Sequence, residues 1–349
     1  MTALSVQDDF ARAIDQYRPD LIAHCYRMLG SVHDAEDAVQ ETLVRAWRAA
    51  DRYDESRASM RTWLHRIATN ACLDALGRRR RRPLPSGLQA ASEDPAGPLA
   101  TTPGQLWLEP MPDALLTAAT ADPAAVVTAR TGIRLAFIAA LQHLPPRQRA
   151  VLILRDVLGW RAAEVAETLG TSATAVNSAL QRARAQLADR APAEDDSYEP
   201  ADRELRALLD RYVAAFERAD VAGLTELLRH DVELEMPPVS TWFAGRPAVM
   251  AFIAARFDEA PDRWRLRPTR ANGQPAVATY LRAGPGTYRA HSIQVLTVAD
   301  RKIRRIVAFQ SHAFVAAFGL PPVLSDATSY QVAAADSRSR PAAAGPAPT

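Results

Sequence analysis

The sequence predicts a multidomain chain: two all-α units, the second carrying a helix-turn-helix, followed by an α+β domain. Three observations carry that reading. Apolar residues recur with helical spacing through much of the first half of the 349 residues. They alternate with a period of two through much of the last third. Two acidic, proline-bearing stretches, residues 85–129 and 191–201, hold no basic residue and read as linkers. At 48% hydrophobic and 23% charged, with a formal net charge of +2, the composition excludes a wholly disordered or collagen-like chain. Two cysteines, Cys25 and Cys72, on apolar helical faces fit a reduced, cytoplasmic setting. The first residues lack a signal-peptide pattern, and no apolar run reaches the roughly 18 residues that would span a membrane.

The first unit is placed at residues 1–84. From Asp34 to Trp47, Ala35, Ala38, Val39, Thr42, Leu43, Ala46 and Trp47 form an apolar helical stripe, with Ser31 and Asp34 as candidate caps. Asp37, Gln40, Glu41 and Arg48 share the outward stripe, either a solvated face or a docking face. After a loop, Asp51–Ser59, a second helix turns Met60, Trp63, Leu64, Ile67, Ala71 and Leu76 inward. Arg61, Thr62, His65, Arg66, Thr69 and Asn70 fall on its other side. The helix ends in five arginines, Arg78–Arg82. Adjacent cations repel one another but gain from a polyanion, whose counterions they release; the alternative is a solvated helix end.

The second unit is placed at residues 130–190, which hold nine basic and four acidic side chains. Leu144-Pro145-Pro146 opens a helix burying Ala150, Val151, Ile153 and Leu154. Trp160–Leu169, the turn Gly170-Thr171-Ser172 and Ala173–Leu187 then give helix, turn, helix. Gly170 suits a left-handed C-terminal position and Ser172 an N-cap. Val176, Leu180, Ala183 and Leu187 face the partner helix. Thr174, Ser178, Gln181 and Ala185 point away, flanked by Asn177 and Arg182, where side chains reach base edges or phosphates in a major groove.

In the third unit, placed at residues 202–320, an amphipathic helix (Leu205, Leu208, Leu209, Tyr212, Val213, Phe216) and a shorter one at Val221–Leu228 precede strand-like runs. These are Val232–Met236, Trp264–Arg270, Ala276–Arg282, Tyr288–Val298 and Ile303–Gln310. Residues 321–349, rich in Ala, Ser and Pro, read as a disordered tail.

Together these stretches resemble the extracytoplasmic-function (ECF) branch of the bacterial sigma-70 factors. "HDAEDAVQETLVRAW" is similar to the family's core-polymerase-binding helix in region 2, and "RTWLHRIATNACLDALGRRR" to its −10 helix. "ALQHLPPRQRAVLILRDVLGWRAAEVAETLGTSATAVNSALQRARAQL" is similar to region 4. The resemblance implies a non-enzymatic sigma factor that needs no cofactor or metal. Its partners would be core RNA polymerase, through the β′ clamp and β flap, and promoter DNA. Asp37, Gln40 and Glu41 would dock on the clamp. The loop Tyr53–Ser59 and the face of Arg61, Thr62, His65, Arg66 and Asn70 would hold the melted −10 strand, with Arg78, Arg79 and Arg80 on phosphates. Thr174, Asn177, Ser178, Gln181 and Arg182 would face the −35 element. Asn177 and Ala179 stand where many members carry a basic residue; Asn pairs more often with adenine than guanine, so the −35 preference does not transfer.

The third unit resembles the SnoaL-like, nuclear-transport-factor-2-type cone fold that some ECF sigma factors carry, and "GQLWLEPMPDALL" and "NGQPAVATY" look like pieces of that group. A cone encloses a pocket, which Asp231, Trp242, His291, Gln310 and His312 could line and a small ligand could fill; otherwise His291 and His312 are bonded sheet residues. One expectation is regulation in cis: Trp107 and Leu108, with Pro110, dock on the turn holding Asn272 and Gln274 and fix regions 2 and 4. The alternative for Trp107 is local packing on region 4. The alternative for the whole is a small-molecule-binding or isomerase/cyclase-like module fused to a DNA-binding regulator.

Overall fold

The computed structural model describes residues 10, 12–77, 81–116, 132–188, 202–258 and 262–325. Helices α1 (Arg18–Leu29), α2 (Val32–Arg48) and α3 (Met60–Leu76) pack as the first unit. Ser31 caps α2, its hydroxyl accepting from the Asp34 N–H at 3.1 Å, and Ser59 caps α3 through the Thr62 N–H at 3.2 Å. The second unit holds α4 (Leu135–Leu141), α5 (Pro146–Leu152), which runs on into a wider turn at Ile153–Val157, α6 (Ala162–Leu169) and α7 (Ala173–Ala188). The third adds α8 (Asp202–Glu217), α9 (Val221–Leu227), β1 (Leu228–Glu235), β2 (Trp242–Ala244), α10 (Arg246–Asp258), β3 (Trp264–Ala271), β4 (Gln274–Gly284), β5 (Thr287–Ala299), β6 (Lys302–Phe309), α11 (His312–Ala317) and β7 (Val323–Ser325).

The sheet order is β2-β1-β6-β5-β4-β3, with β7 added on β5. β1 runs parallel to β6, and the other pairs are antiparallel. Successive strand residues point to opposite faces, so one sheet serves two cores. On one face Val277, Leu296, Ile303, Ile306 and Ala308 pack with α8, α9 and α10. On the other, Ala276, Ala278, Tyr280, Ile293, Val295, Val307 and Phe309 join a single apolar cluster with Leu21, Tyr26, Leu141 and Ile153 of the helical units.

Three expectations change. The helix α10 and strand β2 went unread because Arg246–Asp258 carries a mixed pattern within a strand-rich region. Val323–Ser325 is a strand, not tail, because burial of Leu324 on β5 repays its ordering. The stretch read as an acidic linker with a docking point at Trp107 and Leu108 is, at residues 85–116, a packed strap. Arg78, Arg79, Arg80, the rest of that linker, the second linker and residues 326–349 lie outside the described residues.

Candidate nucleic-acid interface

The recognition face on α7 follows from local chemistry. Gly170 ends α6 in the left-handed region (φ 61°), and the Ser172 hydroxyl accepts from the Ala175 N–H at 3.2 Å to start α7. Val176, Leu180 and Ala183 are buried. Thr174, Asn177, Gln181 and Arg182 are exposed and Ser178 half-buried, so these five share the solvent side. Behind them, Arg184 donates through Nε and Nη2 to the two carboxylate oxygens of Asp156 (2.9 and 2.7 Å) and braces the helix pair.

On α2, Asp37, Gln40 and Glu41 are exposed. Glu41 pairs with Arg45 at 2.7 Å, and Arg45 reaches Asp74 of α3 at 3.1 Å. The sequence reading placed Trp47 inward; it is 49% exposed, and Val44 is 42% exposed. Val44 lies seven residues from Asp37 and shares its stripe. Val44 was missed because its stripe was judged by its charges alone, and Trp47 because its type alone suggested burial.

The face of α3 is the least like its expectation. Arg61 pairs with Asp20 at 2.9 Å, Thr62 is held at the Ser59 cap, and Asn70 is exposed. His65 is corrected: it is buried, its Nδ1 bonded to the Arg61 carbonyl at 2.8 Å. Its ring lies 5.2 Å from that of His24, whose Nε2 is 3.0 Å from the Thr69 hydroxyl. Burial drives His65 down to about 4 and His24 well below its ordinary value, so both are neutral near pH 7. Arg66 binds Glu167 of α6 with two hydrogen bonds, 3.0 and 2.9 Å. The face expected to hold the −10 strand is thus joined to the first helix of the helix-turn-helix. Arg82, expected among the phosphate-tracking arginines, is also corrected: it is buried and paired with Asp34 at 2.7 Å, because its guanidinium must also satisfy the Trp107 carbonyl at 3.0 Å.

Between the helical units lies Arg149, 3% exposed. Its guanidinium donates to the Met28 carbonyl of α1, to Gln142 Oε1 (2.7 Å), and to the carbonyls of Gln142 and Leu144 (3.2 and 3.1 Å). Arg27 likewise donates to the Gly132 carbonyl at 2.9 Å. Burial lowers both arginines to about 10, which leaves them charged at neutral pH.

The strap joins all three units. Its first part docks on β1 and β2. The Ser86 N–H donates to buried Glu235 (2.9 Å), whose carboxyl burial pushes up; Gln89 donates to the Ser240 carbonyl (2.9 Å); Trp242 Nε1 donates to the Gln89 carbonyl (2.9 Å). Its second part returns to the helices. Leu108 is buried against Gly30, where a Cβ would lie 2.9 Å from both Leu108 and Gln142 and φ is +69°, so only glycine fits. Glu109 caps the N-terminus of α2, accepting from Ser31 Oγ (2.8 Å) and the Val32 N–H (3.0 Å).

The strap then meets the β3–β4 turn. Asn272 is fully buried with φ +56°. Its Oδ1 accepts from the Met111 N–H (2.9 Å), and its own N–H donates to the Met111 carbonyl (2.8 Å). Its Nδ2 donates to the Tyr26 hydroxyl (2.8 Å) and the Ile133 carbonyl (2.9 Å). Asp113 accepts from the Gly273 N–H at 2.7 Å, and Gln274 Oε1 accepts from the Leu135 N–H at 2.9 Å. The expected docking of Trp107 and Leu108 on this turn is therefore corrected. Met111 and Asp113 make the hydrogen bonds, since the buried amides of the turn need polar partners that an indole and an isobutyl group cannot supply. Trp107 is half-buried, and Leu108 packs between the helical units.

Of the residues expected to line a pocket in the third unit, His291 and Gln310 do so. Asp231 instead pairs with Arg229 at 2.8 Å, Trp242 binds the strap, and His312 is exposed. Among the described residues no group of three or more His, Cys, Asp or Glu is arranged to hold a metal, and no helix is long and apolar enough to cross a membrane.

Comparison with known proteins assigns residues 13–82 to Sigma-70 region 2, 134–187 to Sigma-70 region 4, and 209–306 to the SnoaL-like domain. The chain is 50% identical over 318 residues to the ECF RNA polymerase sigma factor SigG of Mycobacterium tuberculosis, covering 90% of this chain and 85% of that protein. It is 30% identical over 298 residues to SigJ of the same organism, covering 82% and 86%. The crystal structure of that SigJ superimposes with a TM-score of 0.59 at 25% identity, covering 90% of this chain and 99% of the other.

Proposed function

The chain belongs to the ECF RNA polymerase sigma factors, which bind core polymerase and promoter DNA to direct transcription initiation, and we propose that its third unit restrains it in cis. In this reading residues 1–84 bind the β′ clamp and the −10 strand, 130–190 bind the β flap and the −35 element, and 202–320 hold the two together through the strap at 85–129. It acts in the cytoplasm, where polymerase is.

The observation that carries the reading is the Arg66–Glu167 pair, 2.9 Å between a residue of the −10 face and the helix-turn-helix. On a promoter the two DNA elements lie about two turns of duplex apart, at ~34–36 Å per turn. A contact ion pair between the units cannot coexist with both elements being bound, so the arrangement described is a closed one. Asn272 supports the assignment of the restraint, since it bonds the strap, region 2 and the chain entering region 4 at one buried side chain.

In this reading Asp37, Gln40, Glu41, Val44 and Trp47, exposed already, meet the clamp, while opening frees Arg66 from Glu167 so that Arg61, Thr62, Arg66 and Asn70 can meet the melted strand together. Base capture there relies on stacking and backbone charge rather than on duplex readout. On α7, Asn177 is suited to adenine, and Asn177→Ala should cost ~1–3 kcal/mol of discrimination at one base pair. We read the chain as acting by binding and not by catalysis. The cavity of the third unit, among the described residues, has no carboxylate to pair with His291 as acid and base.

Fluorophores placed on α2 and α7 test the closed state. Their separation should grow by tens of ångströms on adding core polymerase and promoter DNA. An unchanged separation in the initiation complex would sink the proposal.

A further inference from the structure

The inner face of the sheet leaves a cavity of about 310 Å³ under α8 and α10. Its walls, among the described residues, are mainly apolar, with Tyr212, Phe216, Phe252 and Phe257 on the helix side and Leu234 and Ile306 on the sheet. Arg256 and Arg263 also line it, but each has interaction partners of its own, so neither is a spare charge waiting for a guest. The lining groups left with hydrogen-bonding capacity are uncharged.

Trp264 Nε1 is buried with no acceptor, an unfavourable state for a donor. The Tyr212 hydroxyl donates to Gln294 Oε1 at 2.9 Å, and no acceptor among the described residues takes the Gln294 Nε2 hydrogens, on a side chain that is itself buried. Both nitrogens can only donate. The ring of His291 lies 5.6 Å from that of Trp264, and burial first of all lowers its imidazole, which is neutral near pH 7. A dry wall that offers uncharged donors is matched by an uncharged acceptor. A carbonyl oxygen supplies two lone pairs at a desolvation cost that one or two hydrogen bonds offset, whereas a carboxylate would have to be dried with no free counter-charge beside it.

We propose that this cavity is a receptor site for a neutral, largely apolar molecule bearing a carbonyl, its body among the aromatic residues and its oxygen on Trp264 Nε1. Gln294 Nε2 takes a second acceptor where the molecule has one. At ~30 Å³ for each water-sized group, the space suits a body of about ten such groups. Leu99 of the strap lines the cavity as well, and the Ala100 N–H beside it is held by Thr241 Oγ1 at 2.8 Å, so the site is complete only while the strap is docked.

Calorimetric titration of the full-length protein with 2-nonanone tests this, with octanoate and octylammonium as charged counterparts of similar length. Binding is read directly, so the result stands apart from whether the third unit restrains transcription. The ketone should bind one-to-one and at least tenfold more tightly than either ion. In infrared difference spectra its carbonyl stretch should lie below the position found in hexane, the mark of an accepted hydrogen bond. Trp264→Phe, which keeps a ring and removes the N–H, should weaken the ketone severalfold and move the stretch back toward that position. The stretch in the unsubstituted protein reads the hydrogen bond even where the variant fails to fold. No binding of 2-nonanone, octanoate or octylammonium binding as tightly as the ketone, a bound stretch at the hexane position, or a stretch unchanged in Trp264→Phe would each overturn the proposal.

Discussion

The two faces of the third unit's sheet are built from alternate residues of the same strands, yet they do opposite things. The outer face carries Tyr280, Tyr288, Ile293 and Phe309 into a cluster continuous with the helical units, and each of these is at most 2% exposed. The inner face is roofed by helices but leaves room for a cavity. Dense packing makes an interface that transmits position, because interiors give little before they break. Incomplete filling makes a space that can take a guest. A period-two pattern lets one strand serve both ends because its neighbouring side chains never compete for the same face.

Adjacent residues on β6 sharpen the comparison most. Phe309→Ala on the outer face should cost about 3–5 kcal/mol and loosen the third unit from the helices, as read by denaturant unfolding. A cost below about 1 kcal/mol would mean the outer face is not a true core. Acid should act next, on the helical side. His24 and His65 are neutral when folded, while an unfolded histidine titrates near 6.5. The unfolded chain therefore binds more protons between those values. The stability from keeping His65 neutral is fully present above about pH 6.5 and is lost as pH falls toward about 4, on the order of 3 kcal/mol. Hydrogen exchange across that range should show α1 and α3 opening before the sheet; simultaneous opening would count against the difference in the two regions.

Asn272→Ala should cost about 1–3 kcal/mol, since it strands the Met111 N–H and the Ile133 carbonyl in a buried site. It should also widen the spread of distances between regions 2 and 4 in the free protein. Glu167→Gln removes a half-exposed ion pair and should change stability by less than ~1 kcal/mol, while raising the open population measurably in the same distance experiment. Ala308→Leu, one residue from Phe309 but facing the cavity, should be nearly silent in stability, within ~0.5 kcal/mol. On the packed face the same enlargement would overpack by ~1–3 kcal/mol. An equal penalty at Ala308 would show that the inner face is as full as the outer.

Much of the candidate interface could be read from the chain. Thr174, Asn177 and Gln181 are exposed where their spacing on α7 puts them, because Val176, Leu180 and Ala183 fix which side is inward. His65 could not be placed that way. Its spacing puts it beside Arg61, whose carbonyl accepts its hydrogen bond, but its burial comes from packing against the ring of His24 on another helix. Arg82 sits in a run of identical cations, and nothing local separates it, buried, from exposed Arg81. The strap offered one legible sign, Trp107 with Leu108 and Pro110 in a stretch otherwise acidic and polar. That sign indicated docking but not which atoms would dock.

By itself the sequence determined the helices α2, α3, α6 and α7, the caps at Ser31 and Ser172, the left-handed turn at Gly170 and the order of two helical units before a sheet. These depend on groups within a turn or two of one another, so short-range sterics and hydrogen bonding decide them. Only the tertiary structure decided that Asn272 would bond Tyr26, 246 residues away, that Arg66 would meet Glu167, and that one face of a sheet would be filled and the other left open. Those outcomes depend on what is buried against what. The cost of leaving a polar group dry, or of leaving a void, exists only after distant segments have come together.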